Sequence, residues 1–156
     1  MLARSLNTAP VRARRATMIL FGALAAGCAS SATQVQLALH PAADANGARS
    51  VYVLVRTIDE KTFGAESYEA VATRVMTPDT SVQTSVVVLP GQTKMVTLQA
   101  PEKGALAIYA LLERPDRDGW RLLFSTPPPK KIDLRIERSR LCRVKNASDP
   151  CVPEPP

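Results

Sequence analysis

The sequence has 156 residues, with 20 Lys or Arg, 14 Asp or Glu and a formal net charge of +6. Four of the arginines lie in the first 27 residues, which contain no acidic residue, so the other 129 residues hold 16 basic and 14 acidic residues, net +2. This near balance argues against a nucleic acid as the partner, because nucleic-acid-binding domains carry a strongly basic surface. A length of 129 residues is typical of one domain.

Residues 1–27 are predicted to be a lipoprotein signal peptide. Arginines precede an apolar run over 16–27, which would span only about 18 Å as a helix, against about 30 Å for a bilayer core. The run therefore indicates an export signal and not a membrane span. Its end, Leu24–Cys28, resembles the lipobox of bacterial lipoproteins, which implies that Cys28 is acylated and becomes the mature N-terminus. An ordinary signal peptide with an incidental cysteine is the alternative.

Residues 28–34 are small and polar, and we expect a lipidated N-terminus followed by a flexible tether. Val35–Leu39 then alternates between apolar and polar residues, as a half-buried strand does. Ser50–Ile58 carries apolar residues on both faces, which predicts a central strand that is covered on each side.

The ten residues between these strands, His40–Arg49, are rich in turn formers and longer than a tight hairpin needs. We expect an exposed loop in which His40 is solvated. Replacing residues 42–48 with a tight turn is expected to leave folding almost unaffected. Binding residues are commonly placed on loops held by a rigid scaffold, although a simple spacer is the alternative. The candidate partner-binding residues are His40, Pro41, Asp44, Asn46, Gly47 and Arg49.

One helix is predicted, over Ala65–Val75, after a charged turn at Asp59–Lys61. Apolar residues recur there at helical spacing from Tyr68 to Val75 and form one stripe, which we expect to pack on a sheet. Glu66 and Glu69 are expected to point to solvent.

The rest of the chain is predicted to consist of strands and turns, with Trp120 in the core as the expectation and an interface role as the alternative. The fold class is therefore mainly β, a two-sheet antiparallel β-sandwich with seven strands and one short helix, over residues 35–141. A C-terminal tail with a possible disulfide follows at 142–156, and we expect it to be loose over 146–156 apart from Cys151. The further strands are Val82–Leu89, Lys94–Leu98, Ala105–Leu112, Trp120–Phe124 and Lys131–Glu137.

Three cysteines are present, and assigning Cys28 to the lipid leaves Cys142 and Cys151 as a pair in an oxidising compartment. A disulfide between them closes a loop of about ten residues, which stabilises the fold by somewhat less than about 3 kcal/mol. Two free thiols are the alternative.

No catalytic constellation is evident, and we expect neither enzymatic activity nor a cofactor or metal. His40 is the only histidine, and no Gly-x-Ser-x-Gly or Gly-rich phosphate loop occurs. Two close carboxylate pairs, Glu66 with Glu69 and Asp116 with Asp118, lie on a predicted helix surface and in a turn, where acid–base catalysis is not expected.

Several short segments, in their order and spacing, resemble the outer-membrane lipoproteins of type VI secretion systems, the TssJ (SciN) family. They follow the lipobox and are Asp44–Gly47, Ser50–Arg56, Phe63–Tyr68, Leu89–Gly91 and the stretch from Ala110 to Arg121. The resemblance implies a transthyretin-like β-sandwich with an inserted helix.

The resemblance also implies a function. Such a protein is anchored in the outer membrane, faces the periplasm and binds the periplasmic C-terminal part of the inner-membrane protein TssM, in part through the loop that corresponds to His40–Arg49. A pilotin-like lipoprotein of another secretion or envelope machine is the alternative, and a lipid-anchored enzyme or ligand-binding module is a third reading.

Overall fold

The computed structural model describes residues 33–152, so the predicted signal peptide, Cys28 and most of the tether lie outside the described residues. Within this range, no helix is long and apolar enough to cross a bilayer. The elements are β1 (Gln34–Pro41), a 3-10 turn (Ala45–Gly47), β2 (Val51–Ile58), α1 (Glu60–Ala65), α2 (Tyr68–Met76), β3 (Val82–Val88), β4 (Lys94–Gln99), β5 (Ala105–Leu111), β6 (Arg121–Ser125), β7 (Lys131–Ile136) and β8 (Leu141–Arg143).

The strands form two four-stranded sheets, sheet A with the order β4-β1-β7-β8 and sheet B with the order β3-β2-β5-β6. The predicted two-sheet sandwich is therefore confirmed. One neighbouring pair is not antiparallel: β1 runs parallel to β7, with Leu37 opposite Ile132. Alternation of apolar and polar residues shows which face of a strand is buried, but not whether the strand runs parallel or antiparallel to its neighbour. The sequence therefore could not predict the parallel pair.

Side chains from the inner faces of the two sheets form the main core. Val35, Leu37 and Leu39 of β1 are fully buried, as their alternation predicts. They share one apolar cluster with Val53 of β2 and Leu134 of β7. Each such side chain contributes about 1.5–3 kcal/mol when fully buried, so the strand ends are held by a rigid scaffold.

A second apolar cluster lies on the outer face of sheet B, where the helices pack. Leu54 of β2 and Tyr109 of β5 are fully buried there, together with Val71 of α2. Trp120 is 5% exposed and lies in the same cluster, which confirms it as a core residue. The two central strands are thus covered on both faces over most of their length, as the apolar residues on both sides of β2 predict, and the exception on β2 is the half-exposed Tyr52.

The helical region contains two short helices where one was predicted. The backbone of Ser67 is extended, with φ −80° and ψ 158°, and its hydroxyl accepts a hydrogen bond from the N–H of Ala70. Ser67 therefore caps α2, which begins at Tyr68 and not at Ala65. The predicted apolar stripe is correct, and Val71 is its fully buried member.

The other helix, α1, occupies the segment predicted as a charged turn. The Asp59 carboxylate accepts the backbone N–H of Thr62 at 2.9 Å and its hydroxyl as well. These bonds satisfy donors at the helix start and lower the pKa of the Asp59 carboxyl. Aspartate is common both in turns and at helix N-caps, so the sequence interpretation assigned Asp59 to a charged turn and missed the helix that it caps.

The segment after β7 adds a short strand and a disulfide to the sandwich. Leu141 is buried in β8, which pairs with β7 and was not predicted. Cys142 and Cys151 form a disulfide bond, in agreement with the expected pairing. The Cys151 N–H also donates to the Glu137 carboxylate at 2.9 Å, so the tail is fastened to the end of β7.

Candidate partner-binding site

Two of the six candidate partner-binding residues lie in β1 and not in the loop. Pro41 is buried and is aligned with Ile136 of β7. The His40 side chain is 11% exposed, and its Nε2 lies 3.0 Å from Oδ1 of Asp133. Its Nδ1 lies 3.2 Å from the Thr93 hydroxyl. The expectation of a solvated loop histidine is wrong, because the parallel pairing with β7 brings a carboxylate from 93 residues away.

The contact with His40 acts on the electrostatics of Asp133. The hydrogen bond between them is the largest cause of a lowered pKa for the Asp133 carboxyl, and Lys131, with Nζ at 3.0 Å, lowers it further. The His40 side chain therefore links β1 to β7, and its place in a partner contact stays a prediction.

Asn46 is the structural centre of the β1–β2 connection. Its side-chain oxygen accepts the Glu113 N–H at 2.7 Å, and its amide group donates to the Ser50 carbonyl at 3.0 Å. Its own N–H donates to the carbonyl of Glu137 at 3.3 Å. Only 6% of Asn46 is exposed, so it joins three segments from inside the fold. An Asn-Gly pair indicates a turn, but no sequence pattern shows that the asparagine is buried.

The backbone around Asn46 is left-handed over three consecutive residues. The φ angles are 51° at Asn46, 67° at Gly47 and 61° at Ala48. Nothing lies within 4 Å of a Cβ built at Gly47, so the conformation and not the space favours glycine there. Ala45 is fully buried. The tight bend leaves Ala43, Asp44, Gly47, Ala48 and Arg49 exposed.

The charged residues of this connection pair with neighbouring loops. The Arg49 guanidinium forms an ion pair with the Glu113 carboxylate, and Arg138 lies 3.6 Å from the carboxylate of Asp44. Between these segments lies an open cleft of about 220 Å³. Its lining residues are Asn46, Gly47, Arg49, Glu113, Arg114 and Arg138.

A buried ionic network lies near the other end of β2, where the strand leads into α1, and the sequence interpretation missed it. Glu66, expected to face solvent, has a side chain only 5% exposed and forms an ion pair with Arg56, itself 3% exposed. The Tyr109 hydroxyl donates to the other Glu66 oxygen at 2.7 Å. Burial and the hydrogen bond to Glu66 raise the pKa of the Tyr109 hydroxyl. Glu66 lies between α1 and α2, so helical periodicity does not set its direction.

Further polar groups enclose this network. Arg74 of α2 lies 3.3 Å from Glu66 and 3.0 Å from Asp79, and Arg56 donates to the Ser81 hydroxyl at 2.8 Å. Hydrogen bonds from Ser81 are the main cause that lowers the pKa of the Asp79 carboxyl to about 2. The arrangement fastens the β2–β3 connection to sheet B, and each carboxylate is occupied by partners from the protein itself.

The other close carboxylates also have structural partners. Asp116 forms an ion pair with Arg140, and Asp118 lies 2.8 Å from Arg121. Within residues 33–152, no group of three or more His, Cys, Asp or Glu side chains is arranged to hold a metal ion. The end of the sandwich that carries the connection between β1 and β2, residues 42–50, is called the β1–β2 end. It presents exposed charged side chains, such as Asp44 and Arg49, on a rigid backbone.

Solved structures share this fold. The T6SS lipoprotein TssJ1 from Pseudomonas aeruginosa matches with a TM-score of 0.57 and 21% identity, over 72% of this chain and 95% of that one. Serratia marcescens Lip is described as a membrane-bound component of the type VI secretion system. It matches with a TM-score of 0.58 and 16% identity, over 74% of this chain and 98% of that one. A third match is a chain in a structure described as the T6SS protein TssM C-terminal domain from EAEC. Its TM-score is 0.61 and its identity 16%, over 72% of this chain and 98% of that one.

Sequence comparison identifies the family. No match was found among curated proteins. The model of the family described as IglE, N-terminal domain, matches residues 52–136, which is more than half of the chain. Together with the shared fold, this match confirms the resemblance to the TssJ family. The chain therefore belongs to the IglE N-terminal domain family and is TssJ-like in its fold.

Proposed function

We propose that this protein is a lipid-anchored tether of the type VI secretion membrane complex. In this proposal Cys28 carries the lipid in the outer membrane, and the β-sandwich faces the periplasm. The β1–β2 end of the sandwich binds the periplasmic C-terminal part of a TssM-like inner-membrane protein, which links the two membranes.

The observation that carries the proposal is the rigid presentation of the β1–β2 connection. Asn46 ties its backbone to the segments that contain Glu113 and Glu137, while the neighbouring Asp44 and Arg49 stay exposed. A connection held in this way loses little conformational entropy when a partner binds, because its backbone is already ordered.

Steric blocking of the connection tests this surface. Ala43 is exposed, and Ala43→Trp should weaken binding of the periplasmic TssM-like fragment by about tenfold or more, because the ring would stand where the partner approaches. Titration calorimetry measures the affinity, and thermal unfolding checks the fold. Ala70→Trp, on the exposed surface of α2, is the matched control and should bind normally. Unchanged affinity of Ala43→Trp would exclude the connection as the binding surface.

Shortening the loop is not a suitable test, contrary to the expectation from the sequence. Ala42 is 9% exposed, Ala45 is fully buried and Asn46 makes three hydrogen bonds to other segments. Replacing 42–48 with a tight turn would remove these packed groups, so it would destabilise the fold as well as remove the surface.

The lipid anchor is tested at Cys28. Cys28→Ser removes the thiol that the lipobox predicts to be acylated, so a fatty-acid analogue should label the wild-type protein and not the variant. The variant should also appear in the periplasmic fraction. Label that persists on Cys28→Ser would refute the assignment.

The destination of the anchor depends on the residue after Cys28. It is Ala29, whereas an aspartate there retains lipoproteins in the inner membrane of many bacteria with two membranes, so we expect outer-membrane delivery. Density-gradient separation of the two membranes measures the distribution. Recovery mainly with the inner membrane would contradict this part of the proposal.

A further inference from the structure

We infer that the β1–β2 end of the sandwich recognises a partner segment that carries a carboxylate beside apolar side chains. Two adjoining surfaces support this inference. The arginine cleft is the open cleft beside Arg49, Arg114 and Arg138. The apolar strip consists of Tyr52, Val87 and Leu89 at the end of sheet B. The inference rests on the proposed function and specifies the chemistry of the same binding event.

The arginine cleft has cationic groups in excess. Its three guanidinium groups face one carboxylate in the lining, that of Glu113, which pairs with Arg49. Arg138 has Asp44 at 3.6 Å but keeps 73% of its side chain exposed. Arg114 is exposed and has no ion-pair partner among residues 33–152. A carboxylate from outside the domain can therefore bind between Arg114 and Arg138, with guanidinium N–H groups as donors.

The apolar strip exposes large side chains on a strand surface. Tyr52 is 48% exposed, and Val87, its neighbour across the β2–β3 ladder, is 44% exposed. Leu89, directly after β3, is 47% exposed. Elsewhere on β2 the outer side chain Leu54 is fully buried under the helices. The helices thus leave this end of the outer face of sheet B open, and exposed apolar groups side by side indicate an interaction surface.

The ladder between β2 and β5 places the strip beside the cleft. Tyr52 is paired with Leu111, and continuing this antiparallel register beyond the strand ends brings Ser50 opposite Glu113. The ion pair between Arg49 and Glu113 shows that the segment before β2 and the segment after β5 stay close there. A single extended segment can therefore place its acidic residue in the cleft and its neighbouring apolar residues on the strip.

The two surfaces have different energetic roles. An exposed ion pair contributes little to affinity, so the arginines orient the partner and speed its association more than they hold it. Burial of the apolar strip provides the larger part of the affinity, because it removes apolar surface from water. A partner protein satisfies both requirements, since it can present fixed apolar side chains next to a carboxylate.

Charge reversal tests the cleft. The mature chain with Cys28→Ser, with and without Arg114→Glu and Arg138→Glu together, is titrated with the periplasmic TssM-like fragment. We expect the double variant to bind about tenfold or more weakly and to lose most of the salt dependence of the wild-type cleft. Lys61→Glu with Lys103→Glu changes the net charge equally at exposed positions near the other ends of β2 and β5, and should bind within about twofold of the unaltered cleft.

Polar substitution tests the strip. Tyr52→Thr should weaken binding, whereas Met95→Thr, at a 55% exposed position of sheet A, should not. Equal binding by the double charge-reversal variant and the unaltered cleft would overturn the inference while the proposed function stands. Absence of any binding by the unaltered cleft would overturn both. Binding to phosphatidylglycerol vesicles that the charge reversal abolishes would assign the cleft to a lipid headgroup and so overturn the protein-segment inference.

Discussion

The two connections that flank β2 are held in opposite ways. The β1–β2 connection is fixed by backbone groups and the neutral amide of Asn46, and its charged side chains lie on the surface. The β2–β3 connection is fixed by charges inside the protein, where Arg56 and Glu66 are almost fully buried and Tyr109 donates to Glu66.

This difference shows which connection can change its surface charge without loss of the fold. A loop held by neutral groups can exchange its exposed charges, because surface ion pairs contribute little to stability. A connection held by a buried ion pair cannot lose one partner, because the other charge would be left without compensation. The proposed binding surface therefore lies where the fold tolerates changes of charge.

The largest effect is expected at Glu66. Glu66→Ala leaves the buried Arg56 without its carboxylate and should lower the free energy of unfolding by about 3–5 kcal/mol. Urea denaturation measures this change. Glu69→Ala is the control on the same segment, and because Glu69 is exposed its effect should stay within about 0.5 kcal/mol. Equal effects of the two substitutions would remove the distinction between the connections.

A smaller effect is expected at Asn46. Asn46→Ala leaves the Glu113 N–H without its acceptor and places alanine at a φ of 51°, so we expect a loss of about 2–3 kcal/mol in unfolding free energy. Thermal unfolding measures it against Asp44→Ala, an exposed position two residues away that should change stability by less than about 0.5 kcal/mol. A stable Asn46→Ala protein would show that the neutral connection is held mainly by its strands.

The smallest effect concerns acid stability at Asp79. Its carboxyl has a pKa of about 2, below the ordinary 3.8, so the unfolded chain binds a proton more readily. The stabilisation is therefore complete above about pH 4 and is lost as the pH falls toward 2. Asp79→Asn should flatten the unfolding free energy against pH in this window. Ser81→Ala should flatten it in part, because it removes the hydroxyl hydrogen bond to Asp79 and keeps the one from the Ser81 backbone N–H. The effect is small because the Asp79 side chain is 47% exposed.

An unchanged slope in Asp79→Asn would show that other carboxylates determine the acid stability. Asp133 is the first to examine, because its pKa is also lowered, chiefly by the hydrogen bond with His40. His40→Gln would separate the two contributions, since it alters sheet A and leaves the β2–β3 connection intact.

Apart from β8, the strands and their buried faces were determined by the sequence itself. Leu37 of β1 and Leu134 of β7 are buried because a strand directs alternate side chains to opposite faces, so a period of two identifies the inner face. The same reasoning identified β2 as a central strand and the stripe of α2 as a packing surface. Such patterns are local, and each is visible within about ten residues.

Only the tertiary structure decided which polar groups are inside. His40 faces Asp133, Asn46 accepts from Glu113, and Glu66 faces Arg56 and Tyr109. A polar side chain is buried when a partner from a distant strand satisfies it, and that partner is fixed by sheet order and register, which no local pattern contains. For the same reason the sequence located the β1–β2 connection, while the fold separated its structural residues, such as Asn46, from its exposed ones, such as Asp44 and Arg49.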